Sequence, residues 1–312
     1  MAQRSAVVNL RDMRPFWALV IYLAAVFLGG ALLAPGLYVL TLHFAHAFPG
    51  LAQEPFHRFL DRSFLLIALA GVWPLLRALG ATSAGQLGLA RLYGQSANLL
   101  SGLLLGCLSL GAVAAFTLGL GARAWLHGVT AHQIVGTLFR AAGTAAVVAV
   151  LEEILFRGGV FGGLRRAFYW PMALVLSSLI YALVHFLSPA DLAGPVAWYS
   201  GLALLPRLLG GLASFHALVP AFLSLTLVGV LLGLAYQRTG TLYFSIGLHA
   251  GWVFWLKAYG TFTAGVPNSA AWFWGTGKMT DGWLAFLVLA LTLAVINHVP
   301  AMRKRQAFAI PS

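Results

Sequence analysis

The sequence predicts an all-α fold, a polytopic transmembrane helix bundle of about eight spans around a polar intramembrane cavity, from three observations. Of 312 residues, 61% are hydrophobic and only 8% are charged, against about a quarter charged in an average soluble domain. The apolar residues are gathered into runs, and about 20 such residues suffice to cross a bilayer core. A few ionisable residues are stranded inside those runs. There they are costly unless they face a cavity or one another.

The apolar runs fall near 16–42, 63–80, 97–120, 135–156, 170–188, 217–236, 242–257 and 283–300. The first follows Arg4, Arg11 and Arg14, as in a signal peptide. It is too long for an h-region of about 7–15 residues, so it is expected to be a retained span. Pro15 and Pro171 stand where a helix can begin without losing a needed N–H. The stretch 189–216 is apolar but carries Gly194, Pro195, Gly201, Pro206, Gly210 and Gly211. It is expected to be a re-entrant or interfacial element. No internal repeat, low-complexity tail or soluble domain is visible, so residues 1–312 are expected to form a single membrane domain.

Nineteen Lys and Arg against seven Asp and Glu give a formal charge of +12. The bases are scattered between apolar runs, not gathered into a stripe. They fit cytoplasmic loops and phospholipid headgroups, and no nucleic acid partner is expected. With the N-terminus in the cytoplasm, inside segments hold Arg4, Arg11, Arg14, Arg77, Arg91, Arg157, Arg165, Arg166, Arg238, Arg303, Lys304 and Arg305. Outside segments hold Arg58, Arg62, Arg123, Arg140, Arg207, Lys257 and Lys278. Both termini are therefore expected inside. The single cysteine, Cys107, excludes an intrachain disulfide and a cysteine metal cluster.

Five acids, Asp12, Glu54, Asp61, Asp191 and Asp281, lie outside spans or at their ends and read as solvated charges. Glu152 and Glu153 close an apolar run, in Glu152-Glu153-Ile154-Leu155-Phe156-Arg157. Helical neighbours point about 100° apart, so each carboxylate addresses a different partner. Glu153 and Arg157 are one turn apart and can pair, which leaves Glu152 for a cavity. His185 and His249 also lie within apolar runs. A carboxylate beside a histidine can hold a water and take its proton. A second histidine can donate to the oxyanion formed on an attacked carbonyl. The same groups are ordinary zinc ligands. No His-Glu-x-x-His run is present, however, so a zinc site is not favoured and no cofactor is expected.

Glu-Glu-x-x-x-Arg at 152–157, Tyr181-x-x-x-His185 and the later His249 follow one another on successive spans. This order resembles the CAAX protease and bacteriocin-processing family, also called the ABI family, over roughly residues 97–257. The resemblance implies a glutamate-type intramembrane endopeptidase. Within it, Glu152 activates the water, His185 shares that task, His249 serves the oxyanion side, and Glu153 and Arg157 support the site. It also implies membrane lipid and a membrane-anchored peptide or protein as partners. Family substrates include prenylated CAAX proteins and bacteriocin leader peptides. The Ala, Leu, Gly and Arg usage points to a bacterial cytoplasmic membrane, where prenylated substrates are not expected.

Two positions depart from the family pattern. The second motif usually begins with Phe, where this chain has Tyr181. The third usually reads His-x-x-x-Asn or His-x-x-x-Asp, where this chain has Val253. Loss of one oxyanion donor typically costs about 10²–10³ in rate. The indole N–H of Trp252 replaces it only if it points inward. Val253 therefore keeps open a non-catalytic membrane scaffold of the same fold. A transporter using the same cavity is disfavoured by the lack of repeats and of further buried charges.

Overall fold

The computed structural model describes residues 14–80, 83–89, 93–187, 192, 194–208 and 215–298. Arg4, Arg11, Asp12, Arg91, Asp191, Gly210, Gly211, Arg303, Lys304 and Arg305 lie outside the described residues, as do the ends of the expected spans at 188 and 299–300.

The helices longer than four residues, in order, are α1 (Arg14–His43), α2 (Phe56–Ala78), α3 (Ser96–Gly119), α4 (Ala131–Ala167), α5 (Trp170–His185), α6 (Ser200–Leu208), α7 (Phe215–Thr239), α8 (Tyr243–Phe262) and α9 (Trp283–His298). Two three-residue strands, β1 (Arg123–Trp125) and β2 (Thr263–Gly265), pair antiparallel. By length and composition, α1 to α4 and the Leu218–Thr239 part of α7 can each cross a membrane. Helices α5 and α9 are apolar but shorter, at 16 residues each. Ile21, Leu28, Leu65, Leu104, Leu108 and Leu291 are exposed on these helices. An apolar outer surface on this scale calls for lipid, not water, around it. The chain is an integral membrane protein.

Helix α2 begins at Phe56, seven residues before the apolar run at 63. Its first turns bury Phe56, Phe59 and Leu60 on one face. Glu54 lies 3.8 Å from Arg58 and 3.4 Å from Arg62. Amphipathic burial thus extends the helix past the point where hydropathy falls. The stretch after residue 189 contains α6, whose nine residues span about 14 Å. That is about half a hydrocarbon core.

The contacts gather the chain into two compact units. The first comprises residues 1–82, 163–168 and 184–214. Its core joins Ala31 and Ala34 of α1, Phe56 and Leu60 of α2, and Leu204 and Leu208 of α6. Gly201 allows α6 to reach α1, since a Cβ there would lie 2.0 Å from the Ala31 carbonyl oxygen. Arg166 donates to the Leu79 carbonyl, where α2 ends. A cation there satisfies an orphan carbonyl and suits the helix dipole.

The second unit comprises residues 83–162, 169–183 and 215–312. Its centre is α8, with eleven of twenty residues buried. Gly102 of α3 faces the backbone of Phe244 and Leu248 of α8, Gly247 of α8 faces that of Leu99 and Leu103, and Gly106 and Gly251 face each other. A Cβ on Gly102 would lie 2.2 Å from the Phe244 oxygen, and one on Gly247 2.0 Å from the Leu99 oxygen. This is small-xxx-small packing on both helices, which lets backbones touch where no hydrophobic force drives association. Trp252 Nε1–H donates to Ser109 Oγ at 2.8 Å, and Trp255 Nε1–H to the Cys107 carbonyl at 2.9 Å. Arg123 of β1 donates to Thr263 Oγ1 and to the Thr263 carbonyl, fixing the strand to the end of α8. Beside it, a cavity of about 560 Å³ is lined by α3, α4 and α8, including Leu138, Phe254 and Tyr259. Its lining is apolar and suits hydrocarbon.

Candidate active site

Helix α4 carries the two acids across a change of pitch. It is α-helical to Glu152, then a π-helix over Glu153–Phe161, then α-helical again from Gly162. Such π segments are rare and concentrate at functional sites. The junction falls between the two carboxylates, which as helical neighbours point about 100° apart. Gly158 and Gly159 lie buried within the wide turn. There Gly158 packs on Leu87.

Glu153 is fully enclosed, and two partners meet its Oε1. Arg157 Nη1 lies at 3.1 Å and His249 Nδ1 at 2.9 Å. Side-chain exposure is 0% for Glu153, 3% for Arg157 and 5% for His249. A carboxylate accepts, so the ring donates through Nδ1–H. That leaves Nε2 as the ring nitrogen facing Glu152, whose Oε2 lies 3.7 Å away. Glu152 is 27% exposed and is the open member of the group. The Tyr181 hydroxyl donates to the Glu152 carboxylate. Its ring has the Arg157 guanidinium 4.6 Å over its face, Phe156 at 5.0 Å edge-on and His249 at 6.3 Å. A buried charge survives only when paired and hydrogen-bonded. This cluster supplies the pairing and the His249–Glu153 hydrogen bond, while among the described residues Glu153 Oε2 and both Arg157 Nη atoms have no hydrogen-bond partner.

The structure thus brings together Glu152, Glu153, Arg157, Tyr181 and His249, all within the second unit. His185 is the last residue of α5, is exposed, and belongs to the first unit. Val253 is buried on α8. The indole of Trp252 does not serve as a free donor. It is buried and its N–H donates to Ser109 Oγ. Two features escaped the sequence reading. One is the pair of glycine motifs, Gly102-x-x-x-Gly106 and Gly247-x-x-x-Gly251, the second of which brackets His249. Their spacing is a visible signal. The other is the Tyr181 hydroxyl, which only contact with Glu152 makes meaningful. Among the described residues, no group of three or more His, Cys, Asp or Glu is arranged to hold a metal ion.

The second unit of this helical membrane protein thus encloses a paired carboxylate–arginine–histidine cluster. Residues 134–255 match the family model described as type II CAAX prenyl endopeptidase Rce1-like. Over that interval, which is less than half of the chain, the sequence is similar to the Rce1-like, CAAX protease family. No curated protein and no solved structure matches the chain.

Proposed function

We propose that the protein is an intramembrane endopeptidase that hydrolyses peptide bonds with a water activated by Glu152. The observation that carries this reading is the contrast within the cluster. Glu153, Arg157 and His249 are enclosed and pair with one another, while Glu152 alone is partly open and lies beside His249 Nε2. In this reading Glu152 takes a proton from the attacking water as its oxygen bonds to the carbonyl carbon, and returns that proton to the leaving amine as the C–N bond breaks. His249, held through Nδ1–H on Glu153, faces the carbonyl oxygen with Nε2 and in its doubly protonated form donates from there to the negative charge that develops. Glu153 and Arg157 fix the ring and do not touch the peptide. For His185, in the first unit, only the family resemblance implies a role, a share in activating the water. The substrate class is a membrane-anchored peptide or protein, since only such a chain meets a site enclosed by spanning helices.

The test uses the purified full chain in detergent, with internally quenched peptides carrying an acyl anchor and a chelator present throughout. Glu152→Gln and His185→Ala are each expected to lower the cleavage rate by at least about 10²-fold while the protein stays monodisperse. Cleavage by Glu152→Gln at the wild-type rate would remove the reading.

A second reading, a non-catalytic scaffold of the same fold, is favoured by buried Val253 and by the engaged Trp252 N–H. It expects no cleavage of any anchored peptide, and a cellular phenotype unchanged by Glu152→Gln.

A further inference from the structure

We propose that the Tyr181 hydroxyl is a positioning group for the Glu152 carboxylate, holding the acid in one rotamer without touching the peptide. This rests on the peptidase reading of the site. The argument begins with freedom of movement. Glu152 is the one partly open member of the cluster. A glutamate has three rotatable side-chain bonds, and ordering a long side chain costs free energy. Without an anchor its carboxylate spreads over several positions, few of them fit to hold a water.

Tyr181 supplies that anchor from a fixed base. The ring is buried and packed by Arg157 on its face, Phe156 at its edge and His249 beside it. With only two side-chain torsions, a ring so packed points its hydroxyl in one direction. A phenylalanine would keep every one of these ring contacts. The oxygen is therefore not explained by packing, and burying it is costly unless it is hydrogen-bonded. Its partner is Glu152. Arg157 and His249 in turn meet on Glu153, so the ring that aims the hydroxyl is held by the same groups that hold the histidine. Position 253, four residues beyond His249, offers only an apolar valine.

The experiment compares full-length wild type, Tyr181→Phe and Glu152→Gln in detergent, using the acyl-anchored quenched peptide that wild type cleaves fastest. Tyr181→Phe is expected to lower kcat about 10- to 100-fold with KM changed by less than about twofold. Infrared spectra give the second measurement. The Tyr181→Phe change is expected to shift a carboxylate stretching band, and the same change made in Glu152→Gln is expected to leave that band region unaltered. A wild-type kcat in Tyr181→Phe overturns the proposal. So does a rise in KM at constant kcat, or an infrared shift that persists in the Glu152→Gln background. If wild type cleaves no peptide but the infrared pattern is as expected, the peptidase reading falls and the hold of Tyr181 on Glu152 stands.

Discussion

Removing one member of the Glu153–Arg157–His249 group strands the others as buried charge. Breaking a buried pair from one side costs about 3–5 kcal/mol, because the remaining ion keeps its desolvation penalty. Glu153→Ala is therefore expected to lower stability by about that amount, measured by tryptophan fluorescence during thermal unfolding in detergent. Substitution of an exposed charge such as Arg58, whose pairing with Glu54 is solvent-facing, is expected to stay within about 0.5 kcal/mol. At this scale the sequence is partly legible. The four-residue spacing of Glu153 and Arg157 can be read as one helical face. That the same carboxylate oxygen also receives His249, ninety-six residues away, cannot.

Helix α8 reaches α3 only because glycines remove the side chains between them. Gly247→Ala places a methyl group against the Leu99 carbonyl and forces the helices apart, displacing His249 two residues on. It is expected to abolish cleavage and to broaden the size-exclusion profile. Gly143→Ala on α4 is the matched control. A Cβ there meets nothing within 4 Å, so this change is expected to leave both measurements as in wild type. At the scale of elements, apolar runs announce where helices lie, since length and composition suffice. They do not announce the π turn at Glu153–Phe161, because its extra residue per turn is a property of the backbone ladder, which side-chain hydropathy does not record. Nor do they announce the charged first turns of α2, which are kept helical by burial of Phe56, Phe59 and Leu60.

Pairing of β1 with β2 sets a condition on the whole molecule, since the segments before α4 and after α8 must emerge on the same side of the membrane. The cytoplasmic termini expected from the distribution of basic residues would put that side at the exterior. In a Cys107→Ala background, His127→Cys is expected to react with a membrane-impermeant maleimide in intact cells. Ser83→Cys is expected to react only after permeabilisation. Labelling of both in intact cells, or of neither, contradicts this orientation.

The sequence by itself determined that the chain lives in lipid and which residues are too costly to sit there idle. Both follow from transfer free energies that each segment carries with it, independent of its neighbours. Only the tertiary structure decided which of those residues meet. Glu153 joins Arg157 to His249, Tyr181 reaches Glu152, and Trp252 spends its N–H on Ser109. These are contacts between distant segments. Their geometry depends on how closely α3, α4, α5 and α8 approach, which close backbone packing at glycine sets and hydropathy does not encode.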